Sequence, residues 1–380
     1  MIDKLIFFPY YLTLLARNRL YNKGRKKTYK ADVPTICVGN VTAGGTGKTP
    51  HVEMILRMLL ESDEWGARNL AVLSRGYKRE SSGFQQVTRE GSASMFGDEP
   101  LQIKRKFPVV TVAVDKDRVE GADFLAHPEH LKEKKGGRKC WNKDFPASDL
   151  IVLDDAFQYR RLKADKNIVL VDYYRPVNKD HLLPMGRLRD LPSRVLDADV
   201  IIVTKCPCEL EDEEKIAFAA GLGVKDFDPR LCVGKACRGR GKKAVCHEAR
   251  IFFTGITYGQ SHGVYSTSDP RYFYSKRLIL VTGIAKDTPL RNYLSDYYKI
   301  EKRFNFPDHH KYTTSDIQKI RACLKKYPTA AIATTEKDAQ RILDYTGMPE
   351  TMVNRMFYIP IEVDFLSDTE RELFRSWLVR

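Results

Sequence analysis

The sequence predicts an α/β protein of the P-loop type, built on a mostly parallel sheet, with a smaller α/β domain in its C-terminal part. Apolar, β-branched runs alternate with helix-like patterns through the first half of the chain, as a parallel sheet with crossover helices requires. A glycine-rich segment lies between the first such run and the first helical pattern, where phosphate-binding loops occur. A second alternation of strand and helix patterns begins at residue 278.

Six runs in the first half are predicted to be strands, and several are apolar throughout, which indicates burial on both faces of the sheet. They cover residues 35–38, 70–73, 109–113, 150–153, 168–171 and 200–203. In the second half, strands are predicted at 278–281, 330–334 and 356–359, a helix at 315–325, and a last helix opened by a capping box from Ser367 to Glu370. Ligands bind at the C-terminal ends of parallel strands, so the polar residues after these runs are site candidates.

The glycine-rich segment, residues 39–50, reads GNVTAGGTGKTP and has the layout of a phosphate-binding loop. Glycines let backbone N–H groups turn toward an anion, and the following helix adds its dipole. The predicted nucleotide-binding residues are Thr42, Ala43, Gly44, Gly45, Thr46, Gly47, Lys48 and Thr49. Thr42 departs from the general pattern, which has glycine there. The alternative is an ordinary glycine-rich turn, which leaves the Gly-Lys-Thr triplet unexplained.

Two adjacent carboxylates end the predicted strand at 150–153. Asp154 and Asp155 repel each other unless a cation compensates them, and in a phosphate-loop protein such an acid holds Mg²⁺. Thr49 is expected to join them, since the hydroxyl after the loop lysine binds the same ion. The sequence therefore predicts a metal site at Thr49, Asp154 and Asp155. The alternative is a helix-capping aspartate with a solvated neighbour.

Two segments could supply groups for proton transfer. Asp98 lies in a Gly-Asp-Glu-Pro segment, where spacing alone favours a plain helix cap because proline suits the first helical turn. His309 and His310 follow Asp308, and an aspartate beside a histidine can orient the imidazole for proton transfer or bind a metal. An exposed pair of loop histidines is the alternative.

Basic side chains near predicted strand ends are candidates for phosphate contacts, because guanidinium groups match phosphate geometry. They are Arg75, Arg118, Arg187 and Arg189. Each of them could instead be a surface charge. The segment 335–338, Thr-Glu-Lys-Asp, follows a predicted strand of the second domain and could contact an anionic substrate, with a surface helix start as the alternative.

Composition indicates an acidic partner and reduced thiols. A net charge of +15 over 380 residues suits nucleic acid, anionic lipid or a phosphorylated substrate, and the length suggests two or three domains. Eight cysteines do not form a disulfide framework, and ATP chemistry points to the cytosol, where thiols stay reduced. The cysteines at 206, 208, 232, 237 and 246 match no familiar zinc spacing, so free thiols are expected.

The N-terminal segment combines apolar and basic residues. Residues 5–15 are largely apolar or aromatic and too few to span a bilayer as a helix, and seven basic residues without an acid follow between Arg17 and Lys30. This pattern is typical of a helix lying in the face of an anionic membrane. The alternative is a helix packed on its own domain with a solvated basic tail.

Composition shifts predict the domain boundaries. An acidic, helix-like piece at 209–220 precedes a stretch rich in Gly, Lys and Arg, and further turn residues follow. We interpret this region as a connector. The predicted organisation is a membrane-associating segment at 1–30, a P-loop domain at 31–225, a linker at 226–275 and a C-terminal α/β domain at 276–380.

Taken together, these segments resemble the tetraacyldisaccharide 4'-kinase family, the lipid A 4'-kinases of Gram-negative bacteria. The matching segments keep the family's order and span most of the chain. They are VGNVTAGGTGKTP at 38–50, SRGY at 74–77, GDEP at 97–100, DR at 117–118, LDDAFQYRRLKAD at 153–165, LLPMGRLRD at 182–190, VTGIA at 281–285, FPDHH at 306–310 and TEKDA at 335–339. Thr42 is itself a family feature, whereas Ala156 and Tyr159 stand where the family usually has Gly and His.

The resemblance implies ATP- and Mg²⁺-dependent transfer of the γ-phosphate to the 4'-hydroxyl of a tetraacylated glucosamine disaccharide 1-phosphate in lipid A biosynthesis. It also implies two α/β/α domains joined by a β linker, with the active site between them. Asp98 resembles the family's catalytic base, and His309, rather than His310, its partner from the second domain. Residues implied to lie near the substrate are Arg75, Glu99, Arg118 and Gln158.

The implied partners are the acylated disaccharide 1-phosphate lipid and an anionic membrane surface. A monomer peripheral to the cytoplasmic face of the inner membrane is expected, without nucleic acid. The alternative is a P-loop NTPase that acts as a regulatory switch or on another anionic acceptor. A guanine switch needs an Asn-Lys-x-Asp motif, and the nearest segment, 203–206, lacks both Asn and Asp. A nucleic-acid-dependent ATPase needs basic residues interleaved with stacking aromatics, whereas the densest basic run abuts the apolar N-terminus.

Overall fold

The structure is a computed structural model that describes residues 8–133, 140–238 and 245–380. Its helices are α1 (Phe8–Asn22), α2 (Lys48–Leu60), α3 (Ala93–Phe96), α4 (Asp98–Lys106), α5 (Arg118–Ala126), α6 (Pro128–Glu133), α7 (Asp212–Leu222), α8 (Thr288–Tyr297), α9 (Thr314–Lys326), α10 (Glu336–Leu343), α11 (Glu350–Val353) and α12 (Asp368–Val379). Short 3-10 helices cover Val177–Lys179, Pro192–Asp197 and Pro270–Ser275.

The strands of the larger sheet are β1 (Thr35–Gly39), β2 (Leu70–Ser74), β3 (Gln85–Gln86), β4 (Thr111–Val114), β5 (Leu150–Asp154), β6 (Lys166–Asp172), β7 (Val200–Thr204), β8 (Val224–Asp228), β9 (Val233–Arg238), β10 (Val245–Tyr258) and β16 (Ile361–Phe365). Those of the smaller sheet are β11 (His262–Gly263), β12 (Arg277–Thr282), β13 (Lys299–Asn305), β14 (Ala331–Thr335) and β15 (Met356–Ile359).

The larger sheet is parallel through its centre. Its order is β3-β4-β2-β5-β1-β6-β7-β10-β9-β8, and β16 pairs with the C-terminal part of β10. Strands β4, β2, β5, β1, β6, β7 and the middle of β10 run parallel. The chain leaves β1 toward β2 and later passes from β5 to β6 on the other side of β1. A crevice for ligands is therefore expected at the C-terminal ends of β1 and β5.

Both faces of the larger sheet are buried, which explains the continuous apolar runs. Cys37 of β1 belongs to the cluster that includes Leu14 of α1 and Phe124 of α5. Its neighbour Ile36 belongs to the cluster on the other face, with Ile55 of α2 and Phe374 of α12. Successive residues of a strand point to opposite faces, so one strand contributes to both layers.

The smaller sheet has the order β11-β15-β14-β12-β13, and all its strands except β11 run parallel to their neighbours. Ile279 of β12 packs with Ile317 of α9 and Ile342 of α10, whereas Leu278 packs on the opposite face with Leu290 of α8. Two α/β units with a mostly parallel sheet each confirm the predicted fold class.

The connecting region is part of the larger sheet. Strands β8, β9 and β10 extend that sheet at one edge, and β16 and α12 return to it after the smaller sheet is complete. The rings of Phe252, Phe365 and Phe374 join β10, β16 and α12, with centroids 5.1–5.8 Å apart. The boundaries at 225 and 275 stay a prediction, and residues 361–379 pack with the first unit rather than the second.

The expectation of free thiols is wrong for two cysteines. Cys237 and Cys246 form a disulfide, and they lie directly opposite each other on the antiparallel strands β9 and β10. This pairing depends on hairpin register, which the cysteine spacing alone did not reveal. Cys206, Cys208 and Cys232 are free. Of the predicted stretch rich in Gly, Lys and Arg, residues 234–238 belong to β9 and residues 239–243 lie outside the described residues.

The predicted capping box of the last helix is wrong in its second half. Ser367 does cap α12, because its side chain accepts the backbone N–H of Glu370 at 3.2 Å. The Glu370 carboxylate, however, turns into the core, where it accepts from Lys215 Nζ at 2.8 Å and from the N–H of Phe253 at 2.7 Å. Leaving these two buried donors without a partner would cost more free energy than the local cap would contribute.

Candidate active site

The phosphate-binding loop joins β1 to α2 at the crevice. Gly44, Gly45 and Gly47 have φ values of +66°, +68° and +82°, in the left-handed region that glycine adopts without steric cost. Helix α2 begins at Lys48, directly after the loop. The positive end of the helix dipole therefore lies beside the loop, as anion binding requires.

Hydrogen bonds hold the loop in shape. Asn40 Nδ2 donates to Thr46 Oγ1 at 2.7 Å across it. His51 Nδ1 lies 2.7 Å from the carbonyl oxygen of Gly47 and donates to it, because a carbonyl can only accept. His51 Nε2 lies 3.0 Å from Thr254 Oγ1 on β10. Burial lowers the pKa of His51 to about 4, so this link between loop and sheet is neutral at physiological pH.

Two lysines approach the loop. Lys48 Nζ lies 3.6 Å from Asp155 Oδ1, on the turn that follows β5. Lys205, at the end of β7, contacts both the Gly45 carbonyl and the Asp172 carboxylate at the end of β6. The loop is thus surrounded by charges from the ends of three neighbouring strands.

Asp154 has the environment of a cation ligand. Its side chain is buried, Ser74 Oγ donates to Oδ2 at 3.0 Å, and Oδ1 has no hydrogen-bond partner within the described residues. Burial, together with the charges of Glu99 and Asp155, raises the pKa of Asp154 to about 7. A divalent cation would satisfy the free oxygen and offset the repulsion.

Mg²⁺ fits these residues without a closed protein cage. Among the residues that the structure describes, no three His, Cys, Asp or Glu side chains converge on one metal position. A nucleotide-bound Mg²⁺ needs only one or two protein carboxylates, because phosphates and water complete its coordination. Thr49, the second residue of α2, and Asp155, on the turn after β5, are the other predicted ligands.

Asp98 and His309 meet across the two units. Asp98 begins α4 on the larger unit, His309 lies before α9 on the smaller one, and His309 Nδ1 is 3.0 Å from Asp98 Oδ2. The same oxygen lies 3.1 Å from Arg341 Nε and 3.9 Å from Lys337 Nζ, both on α10. Burial opposes ionisation of Asp98, but the His309 hydrogen bond and the charges of Lys337 and Arg341 prevail and lower its pKa to about 2.

His310 lies apart from this contact. Its Nε2 is 2.9 Å from Asp316 Oδ2, and its ring stacks on Phe306 with centroids 4.5 Å apart. Asp316 also takes part in the capping box that opens α9. His310 therefore serves the start of that helix, and of the two histidines only His309 contacts Asp98 in the structure.

Glu99 and Arg118 lie beside the acids. Glu99 Oε1 accepts from Lys337 Nζ at 3.1 Å, and the charge of Glu99 contributes to the raised pKa of Asp154. Arg118 is buried at the start of α5, donates to the carbonyl of Asp115 at 3.0 Å, and leaves Nε without a partner within the described residues. Burial lowers the pKa of Arg118, and the nearby aspartates 154 and 155 oppose that shift.

Gln158 and Arg75 complete the predicted set. Gln158 Nε2 donates to the carbonyl of Asn40 at 3.3 Å, so its amide contacts the start of the phosphate loop. Arg75 follows β2, is exposed, and lies close enough to Arg118 to disfavour its charged form. The structure thus brings Lys48, Glu99, Arg118 and the two aspartates together, whereas Arg75 is at the exposed rim.

Helix α1 packs beside this crevice. Asn18 Nδ2 donates to Asp190 Oδ1 at 2.8 Å, and Tyr10 OH donates to the Arg189 carbonyl at 3.1 Å. Leu12 and Leu15 on the same helix are 43% and 38% exposed. The helix therefore packs on its own domain and also presents apolar side chains outward, while its binding to a membrane stays a prediction. Residues 5–7 of the predicted apolar run lie outside the described residues.

None of the helices within the described ranges has the length and apolar character needed to cross a bilayer.

Sequence reasoning missed two contributors. Lys205 is one of the unnamed polar residues that follow the predicted strands, and the sequence gives no sign of its contact with the Gly45 carbonyl. Arg341 was not considered, although it follows Lys337 by four residues and so lies on the same face of α10. That spacing is the signal that could have found it.

The family model of the tetraacyldisaccharide-1-P 4'-kinases matches residues 5–378. The chain belongs to this family. Tetraacyldisaccharide 4'-kinases from Phocaeicola vulgatus and Parabacteroides distasonis are each 36% identical to it, over 95% and 98% of this chain and 89% and 92% of theirs. The enzyme of that name from Flavobacterium johnsoniae is 34% identical over 95% of this chain and 93% of its own length.

A solved structure shares the fold. It is an ATP complex of LpxK from Aquifex aeolicus, with a TM-score of 0.66, 24% sequence identity, and coverage of 100% of this chain and 99% of that one. The family assignment confirms the predicted activity, a kinase that phosphorylates the 4'-position of a tetraacyldisaccharide 1-phosphate in lipid A biosynthesis.

Proposed function

We propose that phosphate transfer takes place in the crevice between the phosphate-binding loop and α10, with ATP and Mg²⁺ on the larger unit and Asp98 as the base. The observation that carries the proposal is the 3.0 Å contact between Asp98 and His309, which come from different units. Glu99, the next residue after Asp98, is close enough to raise the pKa of Asp154. The base therefore lies beside the acids proposed to hold the metal.

The loop supplies the nucleotide contacts in this proposal. Backbone N–H groups of residues 42–49 hold the phosphates, and Lys48 neutralises their charge. Thr49, Asp154 and Asp155 hold Mg²⁺, and the unpartnered Oδ1 of Asp154 supports this assignment. Bound there, Mg²⁺ would offset the charge of the transferring phosphoryl group. Lys205 fixes the loop through the Gly45 carbonyl.

Asp98 is ionised at neutral pH and so can accept the proton of the acceptor hydroxyl. A low pKa makes it a weak base, and most of the proton shift then follows formation of the new P–O bond, as a loose transition state allows. His309 orients the carboxylate. Because the two residues belong to different units, their contact requires the units to be together, which limits ATP hydrolysis without acceptor.

The remaining predicted residues suit the acceptor. Arg118 is a buried cation whose Nε has no partner within the described residues, and Arg75 is a cation at the rim, so both can contact a phosphorylated disaccharide. Lys337 holds Glu99, whose carboxylate can accept hydrogen bonds from sugar hydroxyls. Gln158 is held at the loop, and its amide can both donate to and accept from such hydroxyls.

The lipid acceptor suggests where the protein works. The outward apolar residues of α1, followed by a basic run, favour peripheral binding to an anionic membrane at its cytoplasmic face, where ATP is present. The same pattern of charge and apolar surface supports a lipid rather than a nucleic acid as partner.

The decisive test is phosphorylation of a tetraacyl disaccharide 1-phosphate in detergent micelles by the wild type and Asp98→Ala. Transfer to the 4'-position should fall by about 100-fold or more in the variant, because a positioned base contributes at least that much, while ATP still binds. Asp368→Ala is a matched control, because Asp368 is also the first residue of a helix but its side chain is 91% exposed. It should transfer at the wild-type rate.

Two outcomes would contradict parts of the proposal. Full activity of Asp98→Ala would remove Asp98 from the chemistry. ATP hydrolysis by the wild type without transfer to the lipid would favour the regulatory switch or another acceptor.

A further inference from the structure

Helix α10 and the loop after β12 form a buried polar network that the proposed chemistry leaves unused. The network belongs to two of the segments noted in the sequence, residues 281–285 and 335–339, and to two residues beyond them, Tyr312 and Arg341. Arg341 and Asp338 are 8% and 0% exposed, so the network lies inside the second unit where it faces the first.

Asp338 organises the network. Its Oδ2 accepts from Thr335 Oγ1 at 2.6 Å and from the N–H of Gly283 at 3.0 Å, and its Oδ1 accepts from Tyr312 OH at 3.2 Å. Gly283 has no room for a side chain, because an added Cβ would lie 2.9 Å from Asp338 Oδ1. The carboxylate is therefore fixed by three donors of the second unit, besides its contact with Arg341.

Arg341 extends from this fixed carboxylate to the base. Its Nη1 lies 3.2 Å from Asp338 Oδ1 and donates to the Gly283 carbonyl at 3.0 Å, while its Nε lies 3.1 Å from Asp98 Oδ2. Neither Nε nor Nη2 forms a hydrogen bond within the described residues. A purely structural arginine buried to this extent would have its donors satisfied, so the guanidinium is held for its charge and position.

The groups that face Asp98 all come from the second unit, apart from the N–H of Glu99. They are His309 at 3.0 Å, Arg341 at 3.1 Å and Lys337 at 3.9 Å, all measured to Oδ2. Lys337 divides its charge between Asp98 and Glu99, to which it donates at 3.1 Å. Asp308 lies 3.6 Å from His309 Nε2. Of these cations, Arg341 is the one that also contacts the Asp338 carboxylate, which its own hydrogen bonds hold in place.

We propose that Arg341 is a positioning residue of the transfer reaction, which fixes the Asp98 carboxylate against His309 and ties that geometry to the Asp338–Gly283 network. The proposal rests on the proposed role of Asp98 as base. It gives the segments around residues 283 and 338 a role, since they hold the guanidinium that positions the base. The charge of Arg341 also acts in the direction of the low pKa of Asp98.

The test is a double-mutant cycle on kcat for lipid phosphorylation, using the full chain in micelles. Arg341→Gln should lower kcat about 10- to 100-fold, because a small misplacement of a reacting group costs that much. KM for ATP should stay nearly unchanged, because the contacts of Arg341 within the described residues are with Asp98, Asp338 and Gly283. In a His309→Gln background the same change should cost less than about threefold, because the two residues act through one carboxylate.

The control is Arg321→Gln, which removes an exposed arginine from α9 of the same unit and should leave kcat unchanged in both backgrounds. Melting temperatures check folding. Arg341→Lys keeps the positive charge but removes the planar guanidinium, so it should lose less activity than Arg341→Gln. If the glutamine variant does not fold, the lysine variant replaces it in the same cycle.

Equal losses in the two backgrounds, or no loss from either Arg341 variant, would overturn the role of Arg341. The activity of Asp98→Ala distinguishes a failure of the Arg341 inference from a failure of the proposed function. If Asp98→Ala is inactive and the losses are additive, only the inference on Arg341 fails. If Asp98→Ala remains active, the assignment of the base itself fails.

Discussion

At the scale of single residues, one close approach of two backbone segments decides where the acids lie. Gly39 ends β1, and a Cβ added there would lie 2.5 Å from Phe157 Cβ and 3.0 Å from the backbone nitrogen of Phe157. Phe157 belongs to the turn that follows Asp154 and Asp155. The missing side chain of Gly39 therefore lets this turn reach the phosphate loop.

Gly39→Ala should push that turn away from the loop. We expect a loss of about 1–3 kcal/mol in the free energy of unfolding, as overpacking of a buried contact causes, and a fall in kcat because the acids move. Urea unfolding and the micelle assay measure the two effects. Gly255→Ala on β10 is the control, since its Cβ would meet Leu366 at an ordinary 3.6 Å. Equal stability of the two variants would contradict this account.

At the scale of elements, three helices share one half-buried lysine. Lys106, in the last turn of α4, lies 2.6 Å from Glu53 Oε2 on α2 and 3.4 Å from Glu336 Oε2 on α10. These helices carry the loop residues, the base and Arg341, so the lysine joins the parts of the site. Burial and the charge of Glu53 raise the pKa of Glu336 to about 7, against the pull of Lys106.

Glu336→Gln should therefore change stability in a pH-dependent way. The folded protein holds this proton up to about pH 7, whereas the unfolded chain releases it near the ordinary glutamate value. The contribution of Glu336 to stability is thus present at low pH and lost as pH rises through about 7. The melting temperature of the variant, relative to wild type, should be unchanged below about pH 4 and higher at pH 8. A variant less stable than wild type at pH 8 would show that attraction to Lys106 dominates.

At the scale of the whole molecule, positive charge and exposed apolar side chains coincide at the N-terminal helix. Leu12 and Leu15 are exposed on α1, and the basic run up to Lys30 follows, within a chain of net charge +15. The other side of α1 is bonded to Asp190 near the phosphate loop. A membrane bound to α1 would thus lie beside the site that receives the lipid.

Leu12→Asp with Leu15→Asp should weaken binding to anionic vesicles by at least about tenfold, because it removes apolar burial and adds repulsion. Co-sedimentation over a salt series measures it. Ile216→Asp is the control, since Ile216 on α7 is 42% exposed and distant in sequence from the basic run. Unchanged vesicle binding by the double variant, or tight binding of the wild type to single-stranded DNA, would refute the membrane assignment.

Local patterns were sufficient for the elements and the loop. The strands at 35–38, 70–73, 150–153 and 200–203 were predicted within about one residue, because burial on both faces demands continuous apolar runs. Local patterns misled where tertiary partners decide: Glu370 leaves its cap for Lys215 and Phe253, and Cys237 pairs with Cys246 through hairpin register.

The sequence by itself determined the family, the activity, the phosphate loop and the strand ends at which polar residues gather. Each of these depends on short segments whose residues must meet a local steric or chemical requirement. Only the tertiary structure decided that His309, Lys337 and Arg341 converge on one carboxylate oxygen of Asp98. Each of the three lies more than 200 positions from Asp98 in the chain. Such contacts depend on how two sheets pack, which no local pattern carries.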